Sequence, residues 1–62
     1  MNIKFFVNVK DINCDDIILD LLELGTIDGV LNESNTFIMT SQKDKKKKIE
    51  DSFGVKSVSM FQ

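Results

Sequence analysis

Sixty-two residues make one small domain, near the lower limit of what folds without a disulfide or a metal. A hydrophobic fraction of 42%, a charged fraction of 29% and a formal net charge of −2 fit a soluble globular chain, not a disordered tail or a membrane span. His, Arg, Tyr, Trp, Pro and Ala are all missing, which removes the commonest general base and metal ligand and the bidentate fork for phosphate or guanine.

All eight basic residues are Lys, and Lys, Asn and Ile are abundant. This bias points to an AT-rich coding sequence, as in a low-GC bacterium, its phages and plasmids, or a similarly biased eukaryote. Cys14 is the single cysteine, so no internal disulfide can form and a reducing, cytoplasmic setting is expected. Residues 1–11 lack an apolar h-region and a small-residue cleavage site, so they do not read as a signal peptide. No run is long enough to cross a bilayer.

Ile3, Phe5, Val7 and Val9 alternate with Lys4, Phe6, Asn8 and Lys10. Period two over eight residues predicts a half-buried strand, with Phe6 the one apolar residue on its polar side. Asn13 is then placed to cap a helix, with Asp15 and Asp16 in the first turn, where the dipole favours negative charge. Cys14, Ile17, Ile18, Leu21, Leu22 and Leu24 share one stripe, and Gly25 offers a left-handed stop. Asp15, Asp16, Asp20 and Glu23 fill the opposite arc, and Leu19 falls among them.

From Ile27 to Thr40 the pattern predicts a hairpin. Val30 and Leu31 lie in its first strand, Glu33-Ser34-Asn35 form the loop, and Phe37, Ile38 and Met39 lie in its second. Phe37 and Met39 share a face, while Ile38 points the other way with Thr36 and Thr40. Ser41 and Asp44 have capping-box spacing for a second helix running through Phe53 and closing at Gly54. That helix has only Ile49 and Phe53 as apolar content, and Lys45 to Lys48 must lend their methylene stems. Its charges oppose the dipole, with lysines early and Glu50 and Asp51 late. It is expected to fray first. Val55 to Phe61 completes the pattern as a last strand, with Val58 and Met60 on one face.

The order strand, helix, strand, strand, helix, strand predicts an α+β fold. It suits a single ferredoxin-like βαββαβ sandwich over residues 1–62, a four-stranded antiparallel sheet with both helices on one face. The other sheet face is then open, with Phe6 and Ile38 as neighbours on it.

Cys14 near a helix N-terminus reads either as an activated thiolate or as a small buried hydrophobe, and its place on the apolar stripe favours the second. Asp11, Asp15 and Asp16 beside it read as a helix start in preference to a metal cluster. Catalysis would need a base, an orienting group and an oxyanion hole, and the sequence presents none of these as a set. The lysine run reads as a solvated helix face, since neither Arg nor interleaved aromatics support nucleic-acid binding.

Two stretches resemble known families. Ile12-Asn13-Cys14-Asp15-Asp16-Ile17 and Ile27-Asp28-Gly29-Val30 resemble the metal loop and the following turn of heavy-metal-associated, copper-chaperone-like domains. Cys14 stands at the first metal-binding cysteine of that loop, Ile17 at the second and Ile12 at its Met. The resemblance implies a ferredoxin-like fold and a soft metal held through Cys14, with two chains sharing one ion. Thr36 to Phe61, with Val55-Lys56-Ser57-Val58 and the tail from Ser59, resembles subtilisin propeptide and inhibitor domains. That likeness implies a C-terminal tail that occupies a protease cleft.

The reading that results is a non-enzymatic protein-binding module, an inhibitor or regulator of a larger protein of the kind a phage or plasmid encodes. It needs no cofactor and contacts neither nucleic acid nor membrane. Its expected contact residues are Phe6, Ile38, Leu19, Met60 and Phe61. A homodimer burying the open face is the competing use of Phe6, and a soft-metal domain built on Cys14 is the alternative function.

Overall fold

A computed structural model describes residues 1–60. It is a small α+β fold: β1 (Asn2–Val9), α1 (Asp15–Leu24), β2 (Thr26–Leu31), β3 (Thr36–Gln42), α2 (Lys46–Glu50) and β4 (Val55–Met60). Short 3-10 turns at Asn32–Ser34 and Lys43–Lys45 lead into β3 and α2. The four strands form one antiparallel sheet in the order β2-β3-β1-β4. No helix of the described residues is long and apolar enough to cross a membrane.

Alternation along the central strand organises the molecule. Phe5, Val7 and Val9 are buried on one side of β1 and meet Phe37 and Met39 from β3. Ile17 and Leu21 of α1 and Ile49 of α2 join the same core, so both helices cover this one face. Val55, Val58 and Met60 of β4 pack against its margin. Phe5 lies opposite Met39 on one side and Met60 on the other, a continuous apolar row across three strands. Burial of this kind contributes about 1.5–3 kcal/mol for each large side chain.

Several local devices differ from the sequence expectation. Cys14, not Asn13, occupies the cap position of α1, and no side chain caps that end. Asn13 is drawn into a turn instead, its backbone N–H donating to Asp11 Oδ1 at 2.9 Å. Gly25 is extended, with φ at 178°, rather than left-handed. Its missing side chain serves a different need, because a Cβ there would collide with the Thr40 carbonyl and approach the Ser41 Cβ at 2.9 Å. Leu22, assigned to the buried stripe, is 49% exposed, because the core accepts only Ile17 and Leu21 in full.

The second helix is the largest departure. Ser41 does not cap it. The residue belongs to β3, is buried, and its hydroxyl donates to the Leu24 carbonyl at 2.6 Å, closing the end of α1. α2 itself spans only five residues, preceded by the Lys43–Lys45 turn, and neither of these segments has a side-chain cap. Ile49 alone anchors it. By Ser52 the backbone has tightened, with Ser52 N–H donating to the Ile49 carbonyl, and Gly54 turns the chain at φ 78°. Phe53 leaves the apolar stripe and is 56% exposed, with the Lys10 ammonium 5.9 Å from its ring centre. One apolar anchor and early lysines do not sustain three turns. β4 is described from Val55 to Met60, so the expected continuation to Phe61 lies outside the described residues.

Gly54 combines a left-handed backbone with a close approach, since a Cβ there would meet the Ile17 side chain. Gly29, by contrast, has room, its nearest neighbour being Ile38 Cδ1 at 3.9 Å. Urea unfolding is therefore expected to show Gly54→Ala losing about 1–2 kcal/mol or more. Gly29→Ala should stay within about 0.5 kcal/mol of the parent. Equal effects at the two glycines would contradict this packing.

Candidate functional site

The sheet face turned away from the helices is built by strand parity. Residues paired across an antiparallel ladder point to the same side. Phe6 pairs with Ile38 on one flank and Ser59 on the other, Lys4 pairs with Thr40, and Asn8 pairs with Thr36 and Ser57. Phe6 and Ile38 thus lie side by side near the middle of this face, both half-buried. Polar residues surround them.

Two hydrogen-bonded clusters frame the apolar pair. At one end Lys4 Nζ donates to Asp28 Oδ2 at 2.9 Å and to Thr40 Oγ1 at 3.1 Å. Thr40 Oγ1 also donates to Asp28 Oδ2 at 2.5 Å. The Thr40 hydroxyl, and after it the Lys4 ammonium, hold the Asp28 carboxyl below its usual range. Asp28 follows the core-facing Ile27 and so turns to this face, beside an irregularity in the β2–β3 pairing between Ile27 and Gly29. At the other end Asn8 Nδ2 donates to the Ser34 carbonyl at 2.7 Å and lies 3.3 Å from Thr36 Oγ1. Thr36 Oγ1 donates to the same Ser34 carbonyl at 3.0 Å, which fixes the turn before β3. Asn35 completes that turn in the left-handed region, φ 51°.

The remaining expected contact residues lie apart from this face. Leu19 projects from α1 at 59% exposure, amid Asp15, Asp16 and Glu23. Met60 pairs with Phe5, so it faces the helix side and packs on the core margin. Phe61 lies outside the described residues. Cys14 is a half-buried free thiol at the start of α1, packed against the core. Among the described residues no group of three acidic or sulfur side chains converges to hold an ion.

Sequence reasoning paired Phe6 with Ile38 but missed the polar frame. Period two already places Lys4, Asn8, Thr36 and Thr40 on that face. Alternation counted from Ile27 places Asp28 there as well, whereas alternation counted from Val30 gives the opposite face, because the pairing is irregular between Ile27 and Gly29. In comparisons with known proteins, no family model matches the chain, and no curated protein and no solved structure does so either.

The frame has a titration signature. Asp28 has a lowered folded pKa, so its contribution is present above the unfolded value and is lost as pH falls through the folded one. Carboxyl-carbon NMR is expected to place the Asp28 midpoint below the ordinary aspartate value. Thr40→Val and Lys4→Met should each raise it. An Asp28 midpoint unmoved by either change would mean that the cluster does not form in solution.

Proposed function

We propose that the chain is a small, non-enzymatic protein-binding module that inhibits or regulates a larger protein in the cytoplasm. It docks through the open sheet face around Phe6 and Ile38, with an edge strand or the C-terminal tail as supporting contacts. The observation that carries this reading is the Phe6–Ile38 pair, two large apolar side chains directly opposite each other on a face that neither helix covers. A central apolar anchor within a polar rim is the usual anatomy of a protein contact. The rim here is already ordered by its own hydrogen bonds, so little side-chain freedom is lost on docking.

The fold we assign to this module is ferredoxin-like. The order β2-β3-β1-β4, with one helix after β1 and one after β3, supports it. The acidic balance of the chain, pI about 4.8, argues for a protein partner over nucleic acid.

Affinity capture from the native lysate tests the reading. Phe6→Asp and Ile38→Asp are expected to weaken retention of the partner about tenfold or more while far-UV circular dichroism stays native. Undiminished capture by both variants would remove the sheet face from consideration.

A further inference from the structure

The helix layer carries a second surface, and it is divided by charge. On α1, Asp15, Asp16, Asp20 and Glu23 are all exposed, and none has an ion-pair partner among the described residues. Leu19 and Leu22 are exposed within them. Across the layer, Lys43 and Lys45 to Lys48 outnumber Asp44, Glu50 and Asp51 by two charges. Lys46 is matched by Glu50 at 2.6 Å, and Lys47 lies 3.9 Å from Asp51. Lys43, Lys45 and Lys48 have no ion-pair partner among the described residues. Phe53 stands exposed at the end of this segment beside the Lys10 ammonium.

The two halves are also aligned along the helices. Lys45 shares a shallow depression with Leu22, Glu23 and Leu24, at the C-terminal end of α1. Gly54 abuts Ile17, so Phe53 lies level with the first turns of α1. The segments therefore run antiparallel, with the acidic and basic surfaces side by side at matching heights.

We propose that this layer is the contact between two copies of the chain, each placing α1 on the lysine segment of the other. A two-fold axis running parallel to the helices and between them produces this pairing. Lys45 and Lys48 of one copy then face Glu23 and Leu22 of its partner, and Phe53 with Lys10 meets the turn holding Asp15, Asp16 and Leu19. Both contacts form at once, so the interface is closed and no surface is left to propagate a fibre. The principal extents of the molecule are 28 × 19 × 17 Å, so a contact over one whole side of both copies removes about 1,000 Å² in all, in the range of weak, transient interfaces. The dimer is weak and its charge matching sets the register. This inference does not rest on the sheet-face reading. The arrangement leaves both sheet faces outward, one on each side, which makes the pair bivalent for any ligand of that face.

Sedimentation equilibrium of the whole chain tests this. The parent is expected to dimerise reversibly, with a dissociation constant on the order of 100 µM at low salt that rises about tenfold as the ionic strength approaches 0.2 M. Asp16→Lys with Glu23→Lys should be monomeric, and so should Lys45→Glu with Lys48→Glu, both retaining native circular dichroism. Mixing the two variants should restore a dimer, because each then offers what the other lacks. A parent that stays monomeric at about 1 mM and low salt overturns the proposal. So does a dimer that survives both reversals, or a mixture that fails to pair. If such a surviving dimer is lost on Phe6→Asp, the copies meet through the sheet face instead.

Discussion

The strict alternation of β1 is the constraint on which everything else rests. This strand is one of the two central ones, with β3 on one flank and β4 on the other, and β3 is likewise paired on both sides. Because side chains alternate, Phe5, Val7 and Val9 commit one face to the helices, and Lys4, Phe6 and Asn8 are committed to the other by the same geometry. A slip of one residue would exchange the two sets. Three apolar side chains would reach the surface, and a lysine and an asparagine would enter a core that has no partners for them. The surface residues of β1 are therefore placed with the precision of core residues.

This explains how much of the molecule can be read from its letters. The strands were legible wherever period two was long, and β1, β3 and the described part of β4 lie where the pattern placed them. The pairing of Phe6 with Ile38 followed from parity alone. Features that depend on one contact between distant segments were not legible. Ser41 looked like a helix cap by spacing, yet its hydroxyl bonds the Leu24 carbonyl 17 residues away. Gly25 looked like a left-handed stop, yet what excludes a side chain there is the Thr40 backbone. Asp28 takes the open face when alternation is counted from Ile27 and the core face when it is counted from Val30, and the irregular pairing between them reconciles the two. At Ser41 and Gly25 a tertiary neighbour overrode a local rule.

The short second helix follows from the same economy. A chain this size buries few side chains in full, and α2 contributes Ile49 alone. With one anchor and a charge order opposed to its dipole, the segment is held at its ends. Ser52 donates back to the Lys48 carbonyl at 2.9 Å, and the Gly54 carbonyl accepts from the Lys10 N–H at 2.8 Å. Of the lysines, Lys43, Lys47 and Lys48 are exposed, while Lys45 and Lys46 are half-buried. The helix is shorter than the spacing predicts, and that truncation leaves Phe53 outside the core.

The distribution of large apolar side chains outside the core connects these observations. Leu19, Leu22 and Phe53 on the helix layer are exposed, whereas Phe6 and Ile38 on the sheet are half-buried. Scattered singly, such residues require no explanation. Here they fall within charged or hydrogen-bonded surroundings on opposite sides of a two-layer molecule. A rim that is polar and already ordered keeps an apolar centre soluble while leaving it available to a matching surface. The two faces differ in what they could match. The sheet face holds a Lys4–Asp28 pair that is satisfied internally. The helix layer carries acidic and basic side chains in separate halves, several of them without an ion-pair partner among the described residues. A domain with too little interior for a deep pocket thus presents two surfaces of different physical kind, one ordered by hydrogen bonds and one divided by charge.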